Sequence, residues 1–223
     1  MTWGEILEIA LLSLRVSLVS TALILLPGVA LGYVLARGRF RGRAVLQALV
    51  SLPMVLPPVA IGLVLLILFA RDSLLGGLLE GLFGGSILLT WWAAALASAV
   101  MSFPLLVLGA QQGFAAVPRR LEHVAATLGA SRVHVFRHVT LPLAARGIAY
   151  GAVFAFARGL GEFGATTLVA GHQPGKTETL ALAIYARIEE WQDEQALVLA
   201  GVSLALALAI TVTAEVFLRE RRP

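Results

Sequence analysis

Apolar positions in this chain come in long blocks, and polar positions are confined to the gaps. Five blocks, at about residues 9–36, 45–70, 87–111, 147–171 and 196–218, reach the roughly 20 mainly apolar residues that a bilayer-spanning helix needs. They predict an all-α integral membrane protein with five transmembrane helices, built as one transmembrane domain over residues 1–223. Between the third and fourth blocks the pattern changes. Apolar residues fall three or four apart at Leu121, Val124, Ala125 and Leu128, and again at Val133, Val135, Phe136 and Val139. That spacing predicts two short amphipathic helices. Gly129 between them permits a sharp turn, and Pro142 is expected to end the second helix before the fourth span. A knob with an apolar stripe and a basic rim suits a groove on a partner protein. By pattern alone it suits the surface of an anionic membrane equally well.

Composition narrows the class. With 59% hydrophobic and only 13% charged residues, the chain is too apolar for an ordinary soluble domain. It has no cysteine, which excludes disulfides and thiol chemistry. The opening "MTWGEILEIALLSLRVSLVS" begins acidic rather than basic, so the first block is expected to stay as a span and not to be cleaved as a signal.

The net charge of +4 is read as membrane topology, with no nucleic-acid partner. Arginine and lysine set orientation. Arg37, Arg39, Arg41 and Arg43 follow the first block. Arg119, Arg120, Arg132, Arg137 and Arg146 follow the third, and Arg219, Arg221 and Arg222 follow the fifth. All share one side if five spans alternate. The other side holds only Arg71, Lys176 and Arg187, against Glu5, Glu8, Asp72, Glu80, Glu178, Glu189, Glu190, Asp193 and Glu194. The N-terminus is therefore expected outside and the C-terminus in the cytoplasm, with the loop at about 112–146 cytoplasmic.

Candidate chemistry in the spans is sparse. Gly28 and Gly32, four apart, suit close helix packing within one subunit. Pro53, Pro57 and Pro58 should bend the second span, either to line a cavity or simply to pack. Arg158 and Glu162 lie one turn apart in the fourth block, where an isolated charge costs roughly 2.5–3.5 kcal/mol on insertion scales. The pair either pins neighbouring helices or stands beside a translocation route. Gly159, Gly161 and Gly164 thin the chain nearby, and Thr166 and Thr167 offer hydroxyls. No ring of basic residues lines the spans, so selectivity is expected to reside in a separate binding protein. The outer stretch "TLALAIYARIEEWQDEQ" is a candidate dock for it, or an amphipathic helix lying on the membrane.

Several patterns are decoys. "AGHQPGKT", Ala170 to Thr177, matches a relaxed phosphate-loop pattern but follows a span rather than a strand. His134 and His138 have a chelating spacing without a third ligand, so no metal site is expected. Arg15 is expected to snorkel to the headgroups. No catalytic constellation stands out, so the chain is expected not to be an enzyme.

The stretch from Glu122 to Pro142 resembles the cytoplasmic loop of ABC-importer permeases, whose pattern is Glu-Ala-Ala, three residues, Gly, nine residues, Ile-x-Leu-Pro. Ala125, Ala126, Leu128-Gly129-Ala130-Ser131 and Val139-Thr140-Leu141-Pro142 fit that frame. His123 holds the usual Glu position and Glu122 sits one residue earlier. "SLPMVLPPVAIGLVLL", "VMSFPLLV", "FARGLGEFGATTLVAG" and "PGKTETLALAIY" extend the resemblance along nearly the whole chain, toward the molybdate-type branch.

The resemblance implies a MetI-like permease fold working as a homodimer in the cell inner membrane. It implies that Glu122, Ala125, Ala126, Gly129, Ala130, Ser131, Phe136, Leu141 and Pro142 form a coupling element that docks on a cytosolic ABC ATPase dimer. ATP and magnesium would sit on that partner, with no cofactor in this chain. An extracytoplasmic molybdate-binding protein would deliver molybdate or tungstate along a path near Pro57, Pro58, Arg158, Glu162, Gly164, Thr166 and Thr167. Sulfate or thiosulfate is the alternative cargo. A passive channel or a membrane-embedded enzyme is the alternative class.

Overall fold

The computed structural model describes residues 1–218. The arginines of the last charge cluster, Arg219, Arg221 and Arg222, lie outside them. The helices in chain order are α1 (Trp3–Arg37), α2 (Arg43–Val55), α3 (Pro58–Leu68), α4 (Leu74–Phe83), α5 (Trp91–Ala116), α6 (Arg119–Thr127) and α7 (Arg132–Val135). A π-helical segment (Phe136–Thr140) leads into α8 (Leu141–Leu160), followed by α9 (Gly164–Ala170), α10 (Leu180–Glu189) and α11 (Asp193–Leu218). No strand occurs among the described residues.

Four continuous helical stretches, Trp3–Arg37, Trp91–Ala116, Arg132–Leu160 and Asp193–Val216, are long and apolar enough to cross a membrane. The second block is instead the pair α2–α3, bent by 107°. Pro57 and Pro58 account for the break. Proline has no N–H for the helix and drives the residue before it into an extended conformation, and Leu56 sits at ψ 146°. Pro53 is carried inside α2. Val50 of α2 packs with Leu35 near the C-terminal end of α1. Ile61 and Leu65 of α3 pack around Val16 and Ala165, nearer the opposite end. The bent pair thus carries the chain from one end of the bundle to the other, and five crossings result.

Chain direction follows from three contacts. Arg37, at the end of α1, reaches the Val117 carbonyl just past α5 at 3.0 Å, so α1 and α5 are parallel. Ile9 near the start of α1 clusters with Leu199 near the start of α11, so α11 is parallel to both. The α8 helix runs the other way, with Gly109 of α5 against Gly151 and Gly113 against Gly147. A Cβ on Gly109 would stand 2.4 Å from the Gly151 Cα, and one on Gly147 would stand 2.4 Å from the Gly113 Cα. Two small-residue motifs therefore face each other backbone to backbone, which is how helices associate where lipid offers no hydrophobic driving force. Gly28 and Gly32 serve α1 in the same way, against Leu106 and Ala110 of α5. Of the most apolar window of α5, 67% is buried inside the chain, against 11% for α11. So α5 is the axis of the bundle and α11 its flank.

Two boundaries differ from the expected ones. The fourth span starts earlier, and α8 stops at Leu160, so the block at 147–171 contains a break at Gly161–Phe163 before α9. Pro142 does not end a helix. It lies in the first turn of α8, where its ring cannot fit against the carbonyl four residues back in a regular α-turn. The preceding turn widens into the π-helical segment, and the chain stays helical from the elbow into the span.

Candidate coupling elbow and translocation path

The elbow begins where Pro118 opens α6, a helix that buries none of its residues. Leu121, Val124, Leu128 and Val133 are all exposed, Leu128 at 83%; the first three form an apolar row along α6, and Val133 borders a groove with Val29 and Val34 of α1. At the joint, Gly129 adopts φ +87°, a left-handed conformation that a residue with a Cβ enters only at a cost. Its N–H closes α6 on the Ala126 carbonyl, and the Ala130 N–H closes it on that of Ala125. Ser131 then opens α7, its hydroxyl accepting from the His134 N–H at 3.3 Å. Ala126, Ser131 and Pro142 are exposed, whereas Ala125, Ala130 and Leu141 are half-buried. Phe136 turns inward, edge-on to Tyr33 at 5.2 Å and stacked with Phe114 at 6.3 Å. That aromatic trio seats the elbow on α1 and α5.

Glu122 also turns inward. Its Oε1 accepts from Arg37 Nη2 at 3.0 Å and from Thr140 Oγ1 at 2.8 Å. One carboxylate therefore ties the end of α1, the start of α6 and the π-helical segment together. Sequence reasoning missed Arg37 as its partner, because 85 positions separate the two and no spacing rule reaches that far. His134 and His138 stack on the exposed face at 4.0 Å. No group of three possible metal ligands exists among the described residues.

The candidate path residues gather where two spans are broken. A Cβ on Gly164 would stand 2.8 Å from that of Pro58, and one on Gly62 would stand 2.8 Å from the Ala165 Cα. The two breaks thus face each other, with Pro57 exposed at the bend. Arg158, in the last turn of α8, places Nη1 2.7 Å from Glu162 Oε2. Glu162 lies beyond the helix, 2% exposed, and its other oxygen accepts from the Ala165 N–H at 2.9 Å. Thr167 spends its hydroxyl on the Phe163 carbonyl at 2.7 Å. Thr166 is buried, and its Oγ1 has no partner.

A second polar group was not anticipated. Ser13, Ser17 and Ser20 of α1 are buried, and each donates to a carbonyl of its own helix. Gly159 faces Ser17, Ser20 and Ser102, and the buried Ser102 hydroxyl has no partner. The signal was available, since three serines fall on one helical face of α1.

The far end answers the remaining expectations. Arg15 is exposed and stacks over Trp91, the first residue of α5, at 3.9 Å, a cation–π contact. In "AGHQPGKT", the Thr177 hydroxyl donates to the Gly171 carbonyl and accepts from the Gln173 N–H. This closed turn borders a cavity of about 380 Å³ lined by Glu5, Glu8, Glu178 and Arg187. Three carboxylates make it a poor host for phosphate. Leu180, Leu182 and Ala183 of α10 are buried, so the first part of this stretch is packed onto the bundle, while Tyr185, Ile188 and Trp191 stay exposed.

Residues 28–222 match the family described as binding-protein-dependent transport system inner membrane component. The chain belongs to that family. This inner membrane component is 41% identical over 209 residues to the molybdenum transport system permease protein ModB of Escherichia coli (strain K12), covering 93% of this chain and 91% of that protein. It is 40% identical over 185 residues to ModB of Haemophilus influenzae, covering 82% and 81%. Its fold matches an inward-facing structure of the MetNI methionine ABC transporter with a TM-score of 0.66, at 19% identity and 98% coverage of each chain. At that identity the likeness establishes the MetI-like fold. The chain is a multi-pass membrane subunit of a transport system.

Proposed function

We propose that this chain is the transmembrane permease subunit of an ATP-driven importer of molybdate, and of tungstate as a near-identical tetrahedral dianion. Two copies enclose one pathway. Each elbow seats one subunit of a cytosolic ABC ATPase dimer, which carries the ATP and magnesium. An extracytoplasmic molybdate-binding protein supplies the cargo. The N-terminus lies outside, and the elbow and C-terminus lie in the cytoplasm.

The observation that carries this reading is the elbow itself. Its apolar row of Leu121, Val124 and Leu128 is open in the segment that resembles the ABC coupling loop, and such a row calls for a partner groove. The molybdenum permeases above support the cargo.

A push on α6 and α7 has two exits. Glu122 passes it to α1 through Arg37 and to the root of α8 through Thr140. Both helices are locked to α5 at glycine contacts, so the spans respond as one body. Closure of the ATPases on ATP draws the two elbows together and rocks the spans between inward and outward states. The cargo passes near Pro57, Pro58, Arg158, Glu162, Gly164 and Thr166, while the Thr167 hydroxyl is turned to its own backbone.

Reconstitution of the permease with its ATPase and binding protein tests the reading. Labelled molybdate should enter proteoliposomes only with ATP, and deletion of residues 119–138 should abolish uptake. Normal uptake by that deletion would reject the coupling role. A preference for sulfate would replace the cargo. Conductance by the chain alone, without ATP, would make it a channel.

A further inference from the structure

We propose that Arg158 is the side chain that meets the oxyanion in transit, and that Glu162 is its fixed counter-charge, a positioning residue that keeps the encounter weak. The inference rests on the reading of the chain as an oxyanion permease.

The two partners are held very differently. Glu162 is immobilised. Its side chain is 1% exposed, one oxygen accepts from the Ala165 N–H, and its own N–H bonds the Gly159 carbonyl at 3.2 Å. Arg158 is anchored by one atom only, Nη1, and its side chain is 32% exposed. The contact is close but not a two-point fork, and Glu162 Oε2 makes no well-aligned hydrogen bond. The rest of the guanidinium makes no other polar contact with the described residues, and about a third of the side chain is exposed.

The position makes that exposure informative. Arg158 lies twelve residues past Arg146, about 18 Å further along the helix at 1.5 Å per residue. At that depth a guanidinium turned to lipid is costly, and such groups face water or the interior of a bundle. The next residue, Gly159, faces the buried serine group with the partnerless Ser102 hydroxyl, so this turn of α8 carries polar groups within the bundle as well.

The chemistry then selects the ligand. A planar guanidinium presents paired N–H groups that match tetrahedral oxyanions. An uncompensated arginine would hold a dianion too well, and conduction requires a site weak enough to release what it admits. Glu162 cancels the net charge and leaves directional donors in place. The spans can therefore pass an oxyanion without storing it, which accords with their lack of a basic ring.

The test uses the permease dimer assembled with its ATPase, without binding protein, and equilibrium dialysis against labelled tungstate. Wild type should retain none. Glu162→Gln should retain tungstate, and Arg158→Gln with Glu162→Gln should lose that retention. In proteoliposomes with the complete system, uptake by Glu162→Gln should fall by about tenfold or more while ATP hydrolysis persists, as expected when an intermediate is trapped. Arg158→Lys, which keeps the charge but not the fork, should slow uptake at unchanged Tm. It stays informative should Glu162→Gln fail to fold.

Absence of retention in a folded Glu162→Gln overturns the inference. So does restoration of wild-type uptake in the double variant, or unaltered uptake by Arg158→Lys, because the pair would then only pin α8 to α9. A wild type that carries sulfate instead defeats the molybdate assignment alone, and the same variants are then read with sulfate.

Discussion

The α5–α8 seam and the α6–α7 elbow are neighbours in the chain and follow opposite rules. At the seam Gly109, Gly113, Gly147 and Gly151 bring two backbones so close that a Cβ on any of the first three would come within 2.7 Å of the facing backbone. At the elbow a Cβ on Gly129 would meet nothing within 4 Å, and α6 buries no residue at all. Space is what the seam lacks, and a partner is what the elbow lacks. The contrast separates two uses of glycine. In one its missing side chain is the contact surface. In the other its backbone freedom sets a direction.

The largest effect is expected at the seam. Gly109→Leu should prevent recovery of folded protein, since even its Cβ would stand 2.4 Å from the Gly151 Cα and 2.7 Å from the Gly151 backbone nitrogen. Size-exclusion chromatography after detergent extraction would check this, and a monodisperse peak at wild-type yield would mean that the backbones can part. Next comes Gly129→Pro. Proline fixes φ near −65° where the chain needs +87°, and it deletes the N–H that bonds the Ala126 carbonyl. ATP-driven uptake should vanish while the purified bundle keeps its Tm within a few degrees. A large fall in Tm would show that the elbow supports the spans.

Glu122→Gln should fall between the two regions. It removes the charge from contacts with Arg37 and Thr140, for which about 1–3 kcal/mol is expected. It should uncouple ATP hydrolysis from uptake more than it lowers Tm. A variant that transports normally would show that force enters by another route. The smallest effect on stability belongs to Leu128→Ser, within about 0.5 kcal/mol for an exposed position. Its affinity for the ATPase should still drop by about tenfold, as for a truncated interface anchor. Unchanged affinity in a pull-down titration would take Leu128 out of the interface.

The legible parts of this molecule are those with a short-range signal. Five apolar blocks gave five crossings, and Gly129 turned where the helical spacing was interrupted. Arg158 and Glu162 paired because four residues separate them. The break between α2 and α3 was written in Pro57 and Pro58, though the angle was not. The inward turn of Glu122 was hidden because its partner Arg37 comes from another helix. The contact of Arg15 with Trp91 was hidden for a similar reason: Trp91 reaches it only once α1 and α5 are packed. The break after Leu160 stayed hidden because the residues on either side of it are as apolar as a continuous span, and the buried Glu162 carboxylate, which accepts from the Ala165 N–H, takes the place of helix hydrogen bonds there. Pro142 was read by its usual effect, and the chain absorbed it in the turn before.

That wide turn, Phe136–Thr140, holds one spare residue compared with a regular helix. Taking one out within it would tighten the coil and leave the faces on either side as they are now aligned. Taking one out between Pro142 and Arg146 would swing the elbow about 100° around the helix axis relative to Gly147 and Gly151. Uptake by the two shortened chains should therefore differ sharply, although each lacks a single residue and the two cuts lie only a turn or two apart.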